Sequence, residues 1–323
     1  MIPAGRRTAR SSRAHAAPCR VCRFPHVAST HREMRCRQHG RSTCAPPQRG
    51  SSMEIDVLGP LEVSQKSASI VPTASKPRTV LAMLAVYTNR LVPLPSLMGE
   101  LWGPEPPATA KTAVQGYILH LRKRIAESAA RRPPGQFPEA KDILVTLPGG
   151  YLLRAPGTAV VLEQFEQLAC AGHRAREKGD FEAASRSFTE ALGLWRGRAL
   201  ADVEVGPQLG IEVQRIEEAR LNVLDRRIEA DLRLGRHHEL LGELRSVTAH
   251  HPTHEGFCAH LMLALYRSGR RCEALDAYQR MRTTLVNELG LEPSPSLRRL
   301  QRSLLVSDRE LDELNVTWDV ATF

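Results

Sequence analysis

The chain has 323 residues, 42% of them hydrophobic, and a formal net charge of +10, which is enough for about two domains with cores of their own. It contains no run of about eighteen apolar residues, so a membrane-spanning helix is excluded. The charge is unevenly placed. Residues 1–52 carry eleven Arg against Glu33 alone, residues 53–155 stand at +4 and residues 156–323 at −4. The body is polarised between a basic and an acidic half, and that asymmetry says more about partners than the total does.

Seven cysteines, at 19, 22, 36, 44, 170, 258 and 272, are an odd count. They make no disulfide framework, and a reducing cytoplasm is expected. Cys170, Cys258 and Cys272 lie in helical, apolar-periodic surroundings, where a free Cys is a small buried hydrophobe.

Residues 1–52 are rich in Arg, Ser, Ala, Pro and His, with almost no apolar periodicity. Such a segment cannot bury enough surface to offset the entropy of ordering it, and it is predicted to be disordered. Other readings compete. Cys19-x-x-Cys22 with His26, His31, Cys36, His39 and Cys44 suggests zinc, but no second pair has matched spacing. The acid-poor, Arg- and Ser-rich composition resembles a transit peptide without its amphipathic stripe. An Arg-rich arm also adds nonspecific attraction to phosphates. The preferred expectation is that Met53, directly before Glu54-Ile55-Asp56-Val57-Leu58, is the initiator, with 1–52 the product of an overextended start.

From Met53 the chain reads as strands, three helices and a hairpin. Glu54–Leu58 and Leu61–Val63 are short strands around Gly59-Pro60, and Ser69–Val71 is a third. Ser75 is placed to cap a helix over 76–88, packed through Val80, Leu81, Leu84 and Tyr87/Thr88. An extended Leu91-Val92-Pro93 precedes a helix from about Pro95 to Trp102, stopped by Gly103. Residues 106–126 form one amphipathic helix with a prolyl start and a basic end. Its stripe of Val114, Ile118, Leu121 and Ile125 packs inward. The other side offers Thr112, Gly116, Leu119, His120 and Lys123, flanked by Gln115 and Arg122, with no carboxylate among them. Ile143–Leu147 and Tyr151–Arg154 are strands joined by Pro148-Gly149-Gly150.

Two helices joined by a tight turn, the second basic, followed by a β-hairpin, make a helix-turn-helix with a wing. The residues Leu58-Gly59-Pro60-Leu61, Lys76-Pro77-Arg78, Leu101-Trp102-Gly103, Pro106-Pro107-Ala108-Thr109-Ala110, Val114-Gln115-Gly116-Tyr117-Ile118, Leu121-Arg122-Lys123 and Gly149-Gly150-Tyr151 resemble the OmpR/PhoB-type winged helix. The variant is that of actinomycete antibiotic regulatory proteins of the AfsR/DnrI/RedD type. The resemblance implies that the third helix enters the major groove while the wing lies against the adjacent minor groove. It places Thr112, Gln115, Gly116, Tyr117, Leu119, His120, Arg122, Lys123, Lys76, Arg78 and Gly150 at DNA. Gln115 is the first candidate for a base contact, because an amide pairs both ways with adenine. Arg122 and Lys123 are assigned to phosphates, which position without specifying. Tyr117 is either a packed ring with a phosphate-directed hydroxyl or plain core. Leu119 departs from the polar residue expected on a reading face. Either it touches a thymine methyl, or the helix is rotated by one residue from this assignment. Trp102 is a structural anchor. Residues 1–52 are unsuited to a phosphoacceptor fold, so a phosphorelay-type DNA-binding domain without its receiver is expected.

Residues 160–305 read as helical throughout: 161–178, 180–195, 211–234, 237–250, 254–268, 271–288 and 295–305. Gly235-Arg236 and Gly269-Arg270 are thirty-four positions apart, the tetratricopeptide period. Gly179-Asp180 repeats the turn out of phase. Leu221, Leu224, Ile228, Leu232, Leu261 and Leu265 are expected in the core. His237, His238, His250, His251, His254 and His260 lack paired ligand spacing and are read as solvated or capping, not as a metal site. Ala191-Leu192-x-Leu194-Trp195-Arg196-Gly197-x-Ala199-Leu200-x-Asp202, Leu234-Gly235-Arg236, Ala264-Leu265-Tyr266-Arg267-Ser268-Gly269-Arg270 and Glu288-Leu289-Gly290-x-Glu292-Pro293 resemble the bacterial transcriptional activation domain of the same regulators.

The expected architecture is mainly α: a winged helix over 53–155, an all-α tetratricopeptide-like activation domain over 160–305 and a short acidic tail over 306–323. No phosphate-binding loop, nucleophile elbow or paired metal ligands appear, so no enzyme, cofactor or metal is expected. By resemblance, the chain is a cytoplasmic activator of an antibiotic biosynthetic cluster. It binds directly repeated DNA as a head-to-tail homodimer and contacts RNA polymerase holoenzyme. The alternative is a tetratricopeptide-type adaptor without specific DNA binding.

Overall fold

The computed structural model describes residues 53–65, 68–130, 139–155 and 159–306. The expectations for residues 1–52 and for the tail beyond Val306 lie outside them. Strands β1 (Met53–Asp56), β2 (Glu62–Gln65) and β3 (Ala68–Ser69) form an antiparallel meander. Helix α1 (Ser75–Val86), strand β4 (Val92–Pro93), and helices α2 (Leu94–Trp102) and α3 (Ala110–Ala130) follow. A single turn, α4 (Ala140–Ile143), runs into the hairpin of β5 (Leu144–Leu147) and β6 (Gly150–Leu153). β4 pairs with β6, so the wing belongs to a three-stranded sheet of order β4-β6-β5. The chain then returns as β7 (Ala159–Val160), parallel to β1, and completes a sheet of order β3-β2-β1-β7.

Two local expectations change. Ser75 does not cap α1: the capping position is Ala74, without a side-chain bond, and the Ser75 hydroxyl donates instead to Glu204 at 2.7 Å. α3 begins at Ala110 and not at Pro106. The Ala110 N–H donates to Pro107 O at 2.8 Å, closing a turn; further back, each of the consecutive prolines disfavours the helical conformation for the residue before it.

The second half is α5 (Val161–Glu177), α6 (Phe181–Gly193), α7 (Pro207–Arg233), α8 (His237–His250), α9 (Glu255–Arg267), α10 (Arg271–Thr284), a π turn (Leu285–Leu289) and α11 (Pro295–Val306). Three helix ends share one closure. After Gly179, Gly235 and Gly269, each with φ between 73° and 77°, the next residue donates to a carbonyl five back: Asp180 to Ala175, Arg236 to Asp231 and Arg270 to Leu265, all at 2.9–3.0 Å. Only a residue free to adopt the left-handed conformation reverses the chain this way while satisfying the last carbonyls. The sequence period thus marks a repeated physical turn. Of the histidines, His254 caps α9 by accepting from Phe257 N at 3.3 Å. His260 is buried against Asp225 at 3.0 Å. Cys258 is buried and its thiol is pushed up to about 12 by desolvation, but Cys272 is exposed: it sits in the first turn of α10, outside the buried stripe of that helix.

The buried apolar residues fall into two clusters. One contains the winged-helix interior together with Phe165, Phe188, Leu209, Ile216 and Val223 of α5–α7. The other contains Ile228, Leu232, Leu244, Phe257, Met262, Met281, Leu297 and their neighbours from late α7 to α11. The link between the halves is dense. Arg196, in the α6–α7 loop, donates through its backbone N–H to Leu58 O at 2.9 Å and through its guanidinium to Asp56 at 2.6 Å and Pro60 O at 2.9 Å. Leu200 N donates to Val57 O at 3.2 Å. Asp202 accepts from Leu61 N at 2.6 Å and from Arg78 at 3.2 Å. Glu100, buried on α2, accepts from the first free N–H groups of α7, at Gly206, Gln208 and Leu209, the last two at 2.8 and 3.2 Å. A carboxylate there meets both the orphan donors and the positive end of the helix dipole.

Candidate nucleic-acid interface

α3 is seated by the predicted stripe: Val114, Ile118, Leu121 and Ile125 are all buried. Ser128 extends the stripe by donating to Gln65 of β2 at 2.7 Å. Burial of these residues fixes the rotation of the helix. On the opposite side Thr112, Gln115, Gly116, Leu119, His120 and Lys123 are exposed together, and Leu119 is 69% exposed. Its apolar side chain therefore does not come from a one-residue error in helical phase; it stands in the polar face. Lys123 lies 4.0 Å from Glu127 one turn on, with both side chains largely in solvent, a pairing too weak to hold the ammonium. Tyr117 is half-buried and packs against the core at the edge of the face.

The wing is held to α3 by Arg122. Its guanidinium donates to Leu144 O at 3.0 and 2.7 Å and to Thr146 Oγ1 at 2.8 Å. The hairpin thus has a fixed position beside the exposed face. Arg124 does the same on the other flank, donating to Ile70 O at 2.9 Å. Gly150 is buried, and a Cβ there would stand 2.2 Å from Val92 O; it permits the close approach of β4 and β6. Arg78 is turned to Pro72 O and Asp202. Lys76 is exposed, with its ammonium 4.8 Å over the ring of Trp102, itself partly buried against the core.

The structure therefore brings together Thr112, Gln115, Gly116, Leu119, His120 and Lys123 on one face, and separates from it Arg78 and Gly150, whose partners lie inside the protein. The charge of Arg122 suggests a phosphate contact. Charge alone does not say where a long side chain is tied, and here a strand carbonyl twenty-two positions away accepts it.

A Cβ at Gly116 would meet nothing within 4 Å. Nothing in the folded chain calls for a glycine in mid-helix, where it costs about 1 kcal/mol relative to alanine.

Comparison with known proteins agrees with this architecture. Residues 161–305 match the family described as bacterial transcriptional activator domain. The chain is 49% identical over 260 residues to the regulatory protein DnrI of Streptomyces peucetius, covering 80% of this chain and 94% of that one. It is 34% identical over 269 residues to the transcriptional regulator RedD of Streptomyces coelicolor, with coverages of 83% and 75%. It is 34% identical over 277 residues to AfsR of Streptomyces griseus, of which it spans 27%. A solved structure of Mycobacterium tuberculosis EmbR in complex with a low-affinity phosphopeptide superposes with a TM-score of 0.72 at 31% identity, covering 81% of this chain and 69% of that one. No helix among the described residues is long and apolar enough to cross a membrane. With a winged helix, an activator domain spanning 161–305 and an identity of 49% to DnrI, the chain belongs to the actinomycete antibiotic regulatory protein family of transcriptional activators.

Proposed function

We propose that this protein is a sequence-specific DNA-binding activator of an antibiotic biosynthetic gene cluster, working in the cytoplasm without catalysis of its own. α3 enters the major groove of directly repeated sites, two protomers bind head to tail beside the promoter, and the acidic helical half contacts RNA polymerase holoenzyme. The observation that carries the reading is the face of α3: donors and small residues, fully presented, opposite a buried stripe, with a wing pinned alongside. Gly116 supports it, because a mid-helix glycine that the fold does not need suits a surface approached closely by a partner. Gln115 pairs with an adenine edge. Thr112, His120 and Lys123 supply the surrounding groove and phosphate contacts. Arg122 acts through the wing it fixes.

A mobility-shift titration of the full chain on the intergenic DNA of its cluster tests this, followed by selection from a randomised duplex pool. Gln115→Ala is expected to lose about 1–3 kcal/mol at one base pair and to relax specificity there. Unchanged selectivity would remove Gln115 from the base-reading role. Absence of any shift at low salt would favour the adaptor reading.

A further inference from the structure

Leu119 is a large apolar side chain in the middle of the exposed, otherwise non-aliphatic face formed by Thr112, Gln115, Gly116, His120 and Lys123 of α3. It is 69% exposed, while Val114, Ile118, Leu121 and Ile125 of the same helix are between 0% and 2% exposed. The packing leaves no rotational freedom that would bring Leu119 inward without expelling that stripe. Its surroundings along the face are Gln115 one turn earlier, Gly116 beside it and Lys123 one turn later. Scattered surface leucines are ordinary. This one, however, stands in the exposed face of α3, next to a glycine where a Cβ would meet nothing within 4 Å.

In the major groove the only apolar group offered by the base edges is the C5 methyl of thymine. Gln115 and Leu119 are separated by one helical turn, about 6 Å along the axis, or roughly two base-pair steps of B-form DNA at about 3.4 Å each. An amide that selects adenine and an aliphatic group that selects a thymine methyl would together read two nearby base pairs. The two contacts are of different kinds, one by hydrogen bonds and one by burial. We infer that Leu119 is a specificity-determining residue that packs against the C5 methyl of a thymine within about two base pairs of the position read by Gln115. The inference rests on the proposal that α3 reads DNA.

The test uses the full chain and a duplex selected by it from a randomised pool. Each thymine of the bound site is replaced singly by deoxyuridine, which removes the methyl and leaves base pairing and the other groove atoms in place. One position is expected to weaken binding by about three- to fivefold, the effect of one buried methyl-sized group. Leu119→Ala should bind the unmodified site more weakly by a similar factor, and should lose nothing further at that same deoxyuridine position. Because Leu119 buries little of itself in the protein, the variant is expected to keep its fold, and a thermal melt checks this. If no deoxyuridine weakens binding, or if Leu119→Ala still responds to it fully, the leucine does not read a methyl and the inference falls while DNA reading stands. If the chain retains no duplex from the pool at low salt, DNA reading itself falls.

Discussion

The two cores of the protein are built differently. The proximal core mixes short strands, three helices of the winged helix and the first helices of the activator half in one apolar cluster. It is tied across that join by Arg196, Asp202 and Glu100. The distal core is a stack of helix pairs closed by repeated glycine turns. Between them α7, 27 residues and about 40 Å long, carries a polar seam. Asp225, Glu229 and Asp231 are buried on it, held respectively by His260, by Arg176 and Arg226, and by Ser185 and Arg236 at 2.7–3.1 Å. The apolar interior therefore divides inside α7, although the matched activator family begins at residue 161. The lesson is that the winged helix is braced by α5, α6 and the start of α7, while the far helices share a separate apolar cluster, which predicts that they unfold separately.

The largest expected effect tests that separability. Phe257 is fully buried in the distal core, and Phe257→Ala should cost about 3–5 kcal/mol there. Urea unfolding followed by circular dichroism should split into two steps. Tryptophan fluorescence, read in a Trp318→Phe background so that it reports Trp102 and Trp195 on the proximal side, should keep its midpoint. Coincident shifts of both signals would show that α7 makes one cooperative unit of the two cores.

Glu100→Ala addresses the other core and should cost about 2–4 kcal/mol, since three N–H donors of α7 lose their acceptor in a buried setting. Here the fluorescence midpoint should fall, and hydrogen exchange should rise at the start of α7 but not in α9. Equal loss of protection in α9 would contradict the division.

The smallest effect concerns the seam. His173 packs edge-on to Phe188 with ring centroids 5.1 Å apart. Its pKa is lowered to about 4 by burial, with Arg176 and Arg226 adding repulsion. The native state thus binds this proton less readily than the unfolded chain, whose histidines titrate near about 6.5. The contribution to stability is complete above about 6.5 and is lost as the pH falls towards about 4. Between pH 7 and pH 5 the unfolding free energy of the protein should drop by more than that of His173→Gln, a difference on the order of 1–2 kcal/mol. Parallel pH profiles would place the acid sensitivity elsewhere.

Much of this protein was legible in its residues, for identifiable reasons. The inward stripe of α3 followed from helical spacing, the repeat turns from glycines at a fixed period, and the family from short motifs in both halves. What spacing does not encode is which distant segments meet. Leu58-Gly59-Pro60-Leu61 and Leu194-Trp195-Arg196-Gly197 read as separate signatures of separate domains, yet they are opposite sides of one interface. There a Cβ on Gly59 would stand 3.0 Å from that of Arg196. Arg78 and Arg122 carry the charge expected of phosphate contacts, but Asp202 and the Leu144 carbonyl claim them, because a long cation follows the nearest fixed acceptor and only packing positions that acceptor. The sequence by itself determined the helices, their buried faces and the kind of protein they build. The tertiary structure decided which polar groups are occupied inside the protein, and so which stay exposed on α3: a carbonyl 22 positions away holds Arg122 and a carboxylate 124 positions away holds Arg78, pairings set by packing that no local propensity foretells.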